Sequence, residues 1–267
     1  LSTLAPGMRA NATDLGPTTG ERNGNREFQL NMDGQEVSVA QGGNRGQPRF
    51  SRDAIGEFQF LSSRFDATQG RSTGLMVNAI TKSGTNIPVG SFSGYFRDDN
   101  FNAADFLAGN VLPYSDQQLS ATHGGPILRG RLHYFANYEF EREPRTSIWR
   151  TAYPFFNVSL EGTNDRKMGG GRLDYQLSPQ TRVMGKVSGG RLQEPFGLPS
   201  TNTHPTSTAA TREYNDEILV QVTQVLSNRM LNEVKGGKTA FGIAQTSLAN
   251  WSNHWQRANG ITNGAPR

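Results

Sequence analysis

The sequence predicts an all-β dominated fold, and three observations support this. Glycine is unusually frequent, with 31 among 267 residues against a usual share of about 7%. Only 19% of the residues are charged, while aromatic residues make up 9%. Several segments alternate apolar and polar residues with a period of two, as strands with two different faces do. This mixture favours strands that are joined by many turns.

The first third of the chain predicts a small β-rich unit. Residues 28–39 form two alternating runs around Asp33-Gly34, a pair that favours a tight hairpin turn. Residues 51–60 predict a short helical turn, capped by a Ser or Asp side chain, that leads into a strand near residues 57–62. Residues 75–82 are apolar on both faces, as expected for a strand buried inside a small domain.

Longer alternating runs follow after residue 90. The clearest covers residues 131–141, where one face carries Leu132, Tyr134, Ala136, Tyr138 and Phe140. The opposite face is polar apart from Phe135. Two further segments, 172–189 and 217–238, each contain two runs joined by a short turn and therefore predict antiparallel hairpins. A shorter pattern predicts one more strand near residues 92–96.

Short turns alternate with long polar connections, which we place at residues 142–170 and 190–215. This asymmetry is typical of transmembrane β-barrels, which have short periplasmic turns and longer extracellular loops. A basic residue on the lipid face of such a barrel lowers its stability by about 2–4 kcal/mol when it lies at the midplane of the bilayer. We therefore predict that Leu132, Tyr134, Tyr138 and Phe140 face lipid. A soluble β-sandwich also alternates in this way and remains an alternative.

Other classes of protein find little support in the composition. There is no cysteine, which excludes disulfides and thiolate chemistry and suits a protein that passes an oxidising compartment. No apolar stretch reaches the 18 residues that a membrane-spanning helix needs. The basic residues are spread singly, unlike the clustered charge of a nucleic-acid-binding protein. The four histidines show no ligand spacing and no nucleophile elbow is present, so we predict no enzyme, no metal and no cofactor.

Consecutive motifs resemble one family. Residues 51–66 and 69–86, the latter containing Val-Asn-Ala-Ile-Thr-Lys-Ser-Gly, resemble the late plug segment of TonB-dependent receptors, in particular the Oar-like branch. Residues 90–97 resemble the first barrel strand of that family, and residues 102–106 the loop after it. His-Gly-Gly-Pro-Ile at residues 123–127 and the following Tyr-Phe and Asn-Tyr-Glu motifs are similar to its next strands.

The resemblance implies a plug domain and an outer-membrane barrel. Residues 1–86 would be the C-terminal part of the plug. Residues 87–267 would be six or seven strands of an antiparallel barrel of about 22 strands. We expect the chain to be an internal piece of a longer protein, since it opens without methionine or an export signal. Its barrel strands should therefore form an open, curved sheet.

The resemblance also implies function, location and partners. Such a receptor binds a substrate at the surface of the bacterial outer membrane and moves it across that membrane with energy supplied through TonB, which would act on a segment upstream. Outer-membrane lipid and lipopolysaccharide would surround the barrel. A passive porin-like barrel, or a secreted β-rich adhesin or glycan-binding module, are the alternatives. A plug folded inside the barrel would distinguish a TonB-dependent receptor from a passive porin-like barrel.

The plug carries charged residues that could contact a polar barrel lumen. We predict such contacts for Arg52, Asp53, Arg64, Asp66, Arg71 and Lys82. Ion pairs in a wet lumen are individually weak, which would suit a plug that has to move.

Overall fold

The computed structural model describes most of the chain between residues 28 and 247. The described residues are 9–10, 17–18, 28–38, 50–62, 75–104, 109, 111, 115–149, 157–196, 209–247, 261–262 and 265–266. Within these ranges, no helix has the length and apolar character that crossing a membrane requires. The strands are β1 Arg9–Ala10, β2 Pro17–Thr18, β3 Phe28–Met32, β4 Gln35–Glu36, β5 Ile55–Ser62, β6 Leu75–Thr81, β7 Val89–Asp98, β8 Ser115–Leu128, β9 Leu132–Trp149, β10 Val158–Ser178, β11 Thr181–Glu194, β12 Ala209–Ser227, β13 Met230–Ser247, β14 Ile261–Thr262 and β15 Ala265–Pro266.

Four strands form the N-terminal sheet, in the order β4-β3-β6-β5. Strand β6 lies in its interior, parallel to β3 and antiparallel to β5, as its apolar sequence predicts. A 3₁₀ turn at Arg52–Ala54 precedes β5, as predicted, but the Ser51 side chain at its N-cap makes no capping hydrogen bond. The core of this sheet consists of Met32, Val37 and Ala79, with Leu30, Phe50 and Ile55 packed against them.

The predicted Asp33-Gly34 turn joins β3 to β4. Both residues have positive φ, 51° for Asp33 and 81° for Gly34, as a type I′ hairpin turn requires. The backbone N–H of Asp33 donates to the carbonyl of Ala79 at 2.9 Å. The turn is thereby fixed against β6, with the Asp33 side chain in a defined place.

The remaining long strands form one seven-stranded sheet, an antiparallel meander in the order β13-β12-β11-β10-β9-β8-β7. Strands β7 and β13 are its edges, so the sheet is open in the described part of the chain. The all-β fold with an open antiparallel sheet is thus confirmed. The smaller pairs β1-β2 and β14-β15 stand apart from both sheets.

Two predicted connections were too long. Residues 142–170 largely belong to strands, since β9 continues to Trp149 and β10 begins at Val158. Residues 190–215 are likewise shortened by β11 and β12. The alternation found in β10 began only at residue 172 because residues 169–171 are three consecutive glycines without side chains. Periodicity did not reveal strand β8, since small polar residues dominate it, although the resemblance assigned residues 123–127 to a strand.

The N-terminal sheet lies on one face of the seven-stranded sheet, which we call the inward face. Its Asp53 side chain accepts a hydrogen bond from Ser93 on edge strand β7. Its Gln35 side chain donates to Thr239 on the opposite edge strand, β13, at 2.8 Å. Seven strands spaced about 4.8 Å apart span roughly 29 Å, about twice the width of four strands. Contact with both edges therefore requires that the larger sheet curve around the smaller one.

Candidate functional site

The interface between the two sheets is the candidate site, because buried charged side chains are concentrated there. Glu139 on β9, Lys186 on β11 and Glu217 on β12 are each at most 4% exposed. Ionised groups are seldom buried to this degree unless they are paired. Their partners come from the N-terminal sheet and from neighbouring inward positions.

Glu139 binds the 3₁₀ turn of the N-terminal sheet. One carboxylate oxygen accepts the backbone N–H of Arg52 at 3.1 Å, and the other accepts the Gln118 side-chain amide at 2.8 Å. The Arg52 guanidinium lies 3.5 Å from the same carboxylate, but its side chain is 71% exposed. Because the Arg52 side chain is exposed, this ion pair contributes little to stability. The hydrogen bond from the Arg52 backbone N–H to the buried Glu139 carboxylate is the stronger contact.

Asp53 binds the adjacent pair of strands. Its carboxylate accepts hydrogen bonds from the hydroxyl groups of Ser120 on β8 and Ser93 on β7, the latter at 3.4 Å. Arg52 and Asp53 thus reach three neighbouring strands from one turn. The shape of the turn, rather than the charge of Arg52, positions these contacts.

A second group of contacts surrounds Asp33. Its carboxylate accepts from the Lys186 ammonium at 2.7 Å and from the Arg172 guanidinium at 3.3 Å. It also accepts the backbone N–H and the hydroxyl of Thr81, at 3.0 and 2.9 Å. Arg172 donates further to the Thr81 carbonyl at 2.9 Å. One acidic side chain of the N-terminal sheet therefore lies between two basic side chains of β10 and β11.

Further acids of the seven-stranded sheet complete this arrangement. Arg172 forms a two-point ion pair with Asp174, at 2.8 and 3.0 Å. Lys186 also lies 3.1 Å from Glu217, and Arg182 lies 2.6 Å from Asp174. We call the whole set the six-charge cluster; it consists of Asp33, Arg172, Asp174, Arg182, Lys186 and Glu217. Three acids and three bases balance one another, which makes burial of the set tolerable.

The protonation of Asp33 follows from its surroundings. Burial alone would raise the pKa of its carboxyl group, but the nearby Lys186 ammonium and the Thr81 hydrogen bonds outweigh that effect. The pKa of Asp33 therefore lies below its ordinary value of 3.8. Asp33 is ionised at neutral and mildly acidic pH, and its bond to Lys186 is a charged one.

A narrow cleft lies beside these contacts, between the two sheets. Met32, Phe50 and Ala54 line it from the N-terminal sheet, and Phe135 and the glycines at 169–171 line it from the larger sheet. Phe135 is the apolar exception that the sequence showed on an otherwise polar face, and it is 7% exposed. The N-terminal sheet covers this side chain, which explains why an apolar residue occurs on the inward face.

The segment that connects the two sheets is also held in place by side-chain contacts. Asn86 follows β6, and its side-chain oxygen accepts the backbone N–H of Gly130 at 2.6 Å. The same oxygen lies 2.8 Å from Nε2 of His133. The connection from the N-terminal sheet into β7 is therefore fixed to the β8–β9 turn.

The six predicted contact residues differ in their placement. Arg52 and Asp53 lie at the interface, as described above. Lys82 is exposed, and its backbone N–H donates to Ala54 within the N-terminal sheet. The other three, Arg64, Asp66 and Arg71, lie outside the described residues. The sequence interpretation missed Asp33, because its pairing with glycine indicates only a turn, and missed its partners Arg172 and Lys186.

The residues that we predict to face lipid all lie on the outward face, opposite Glu139. Leu132, Tyr134, Tyr138 and Phe140 occupy alternate positions of β9, and Tyr138 is 52% exposed. On the neighbouring strands this face carries further exposed apolar side chains, namely Leu173, Leu177, Val187, Ile218 and Val220. The outward face is thus apolar across several strands, and its contact with lipid remains our prediction.

A pair of substitutions tests that prediction. Leu173 and Leu177 lie on the outward face of β10 and are similarly exposed, at 49% and 52%. Leu173 lies between Tyr134 and Gly185 in the middle of the face, whereas Leu177 adjoins the turn. We expect Leu173→Arg to lower the free energy of unfolding in lipid bilayers by about 2–4 kcal/mol, and Leu177→Arg by about 0–1 kcal/mol. Denaturant titration from liposomes measures both, and equal effects would contradict a lipid-facing band.

Comparison with known proteins defines the class. Residues 80–155 match the family described as "Outer membrane beta barrel domain". Residues 80–155 are therefore similar to an outer-membrane β-barrel domain, and the location of the protein is the bacterial outer membrane. Among curated protein sequences, none matches this chain.

Solved structures identify the particular architecture. A double mutant of the ferric enterobactin receptor PfeA from Pseudomonas aeruginosa is similar with a TM-score of 0.63 and 14% identity, covering 91% of this chain and 38% of that chain. A second PfeA mutant has a TM-score of 0.58 and 14% identity, with 81% and 33% coverage. The alcaligin outer-membrane receptor FauA from Bordetella pertussis has a TM-score of 0.55 and 11% identity, with 92% and 45% coverage.

The chain spans less than half the length of these receptors. At such low identity the likeness establishes the fold, and the predicted resemblance to TonB-dependent receptors is confirmed at that level. Assignment to the Oar-like branch stays a prediction, as does the division of the chain at residue 86.

Proposed function

We propose that this chain is part of a TonB-dependent outer-membrane transporter, a transport protein and not an enzyme. In this proposal the N-terminal sheet belongs to the plug, and the seven-stranded sheet supplies barrel strands. The observation that carries the proposal is the position of the N-terminal sheet on a polar, curved inward face, where it contacts strands from β7 to β13. A barrel without a plug would have no use for such a unit.

The interface is also suited to movement. Asp53 and Gln35 reach the larger sheet through hydrogen bonds to hydroxyl groups, which water replaces readily. Within the described residues, the ion pairs between the two sheets involve Asp33 and the turn at Arg52. Energy delivered through TonB would have to break these contacts for a path to open beside the plug.

Ferric siderophores are the substrate class that we propose. The support is that the similar structures are named as receptors for ferric enterobactin and for alcaligin. The probes are therefore iron-55-labelled ferric enterobactin and ferric alcaligin, supplied to cells that produce the full-length protein.

A cysteine lock tests the transport mechanism. The chain has no cysteine, so the double variant Asp53→Cys/Ser120→Cys introduces a single pair into it. Asp53 and Ser120 are in direct hydrogen-bond contact across the interface. We expect uptake of at least one probe by wild type only in cells with functional TonB, loss of uptake in the oxidised double variant, and recovery with a reductant. The single variants Asp53→Cys and Ser120→Cys are the controls.

The passive porin-like barrel predicts different results. It would give ion conductance in planar bilayers with wild-type full-length protein, and solute entry that is indifferent to TonB. A plugged transporter should conduct only after deletion of the N-terminal sheet. TonB-independent uptake that also survives the cysteine lock would overturn our proposal.

A further inference from the structure

The outward face changes from apolar to basic residues with increasing distance from the short turns. Arg142 on β9, Lys167 on β10 and Arg191 on β11 all point outward and are exposed. They follow directly on the apolar residues Phe140 and Tyr138 of the same face. We call these three basic residues the basic border.

Strand register places the three side chains close together. Lys167 is paired with Phe140 on one side and with Arg191 on the other. Arg142 lies two residues beyond Phe140 on the same face. With strands about 4.8 Å apart and about 7 Å between successive outward residues, the basic border fits within roughly 10 by 7 Å. Arg212 on β12, also outward and exposed, flanks it.

Acidic residues are present but do not balance this charge. Asp165 faces Arg142 across the strand pair, and Asp216 forms an ion pair with Arg191 at 2.8 Å. With Arg212 included, four basic residues stand against these two acids. The Arg191 guanidinium also lies 5.7 Å from the centre of the Tyr214 ring, which helps to hold it in place.

The basic border lies ten to eleven residues along the strands from the short turns, and the strands continue beyond it on the side of the longer connections. The short turns, at residues 129–131, 179–180 and 228–229, are at the other end of the strands. The strand ends that the longer connections join, Trp149 to Val158 and Glu194 to Ala209, lie on the opposite side of Arg142 and Arg191 from these turns. In outer-membrane barrels the longer connections are extracellular. The basic border thus follows the apolar face where it meets the outer surface.

We propose that Arg142, Lys167 and Arg191 bind the phosphate groups of lipopolysaccharide in the outer leaflet. The acyl chains of that lipid would lie along the apolar outward face below. A lipid fits better than free phosphate because the basic side chains and the apolar surface are continuous, so one molecule contacts both. Arginine and lysine suit phosphate oxygens, and each basic residue near an anionic membrane surface contributes on the order of 1 kcal/mol. The inference rests on the outer-membrane location and not on transport.

Two triple variants of the full-length protein test this site. The first is Arg142→Gln/Lys167→Gln/Arg191→Gln. The matched control is Arg129→Gln/Arg131→Gln/Arg229→Gln, which removes the same charge from exposed residues at the opposite end of the sheet. Each protein is extracted from outer membranes in mild detergent, and the lipopolysaccharide retained per protein is measured by native mass spectrometry and by phosphate content. Rebinding of purified lipopolysaccharide is then titrated with and without inorganic phosphate.

We expect the first variant to retain at least tenfold less lipopolysaccharide than wild type, and the control to retain the wild-type amount. At about 1 kcal/mol for each basic residue, every substitution should weaken binding about fivefold. Equal retention by the two variants would overturn the site. Displacement of the lipid by millimolar inorganic phosphate would overturn its assignment to lipid. TonB-dependent uptake, measured in parallel, reports separately on the proposed function.

Discussion

Replacing Asp33 by asparagine should loosen the N-terminal sheet from the barrel wall more than any other single change of charge. Asparagine keeps the size of the side chain, tolerates the positive φ of 51°, and retains an oxygen for the Thr81 N–H. What the substitution removes is the negative charge between Lys186 and Arg172. Lys186 is 3% exposed in its side chain, so it cannot turn to solvent without moving the sheet.

The expected loss is about 3 kcal/mol of stability at this interface. Removing one partner of a buried ion pair usually costs about 3–5 kcal/mol. The lower end applies because Lys186 retains Glu217 and Arg172 retains Asp174. Hydrogen exchange on the full-length protein in micelles measures the effect, as faster exchange of residues 28–38 and of the Thr81 amide.

Glu57→Gln provides the matched control. Glu57 is an exposed carboxylate on β5 of the same sheet, so its substitution changes the net charge equally but leaves the six-charge cluster intact. We expect exchange in this variant to match wild type. Equal protection in Asp33→Asn and Glu57→Gln would show that the cluster does not fasten the sheet.

The pH dependence follows from the direction of the Asp33 pKa shift. Because the pKa is lower in the folded protein than its ordinary 3.8, the stabilisation is complete above that value. It is lost only as the pH falls through the lower, folded-state pKa. The difference between wild type and Asp33→Asn should therefore be constant from about pH 5 to about pH 8. Mild acidification alone should not release the N-terminal sheet.

The sequence predicted local features well and the interface poorly. The Asp33-Gly34 turn, strand β6 and the two faces of β9 depend on neighbouring residues, so periodicity was sufficient to predict them. Lys186 is 153 residues from Asp33, and nothing in a single sequence indicates that they meet. The role of Phe135 was equally hidden, since it depends on what covers it. Such features depend on how the two sheets are placed against each other, and local periodicity carries no information about that placement.

The second large effect is expected from Gly84→Ala, in the segment that joins the two sheets. A Cβ atom at this position would lie 2.2 Å from the carbonyl oxygen of Tyr134 and 2.9 Å from that of Gly125. Both obstacles are backbone atoms of paired strands, β8 and β9, so neither can rotate away as a side chain could. The connecting segment must move instead, and the two contacts of Asn86 with Gly130 and His133 would be lost.

Overpacking usually costs about 1–3 kcal/mol, and we expect the upper part of that range because the clash is with backbone. The readouts are the midpoint of denaturant unfolding and the exchange rate of the Gly130 amide, which should rise in Gly84→Ala. Gly185→Ala is the control, since no atom lies within 4 Å of its added Cβ. Equal unfolding midpoints in the two variants would show that Gly84 does not constrain the connecting segment. A selective effect would mean that the chain leaves the N-terminal sheet under constraint, so that a pull on that sheet is transmitted to the barrel wall.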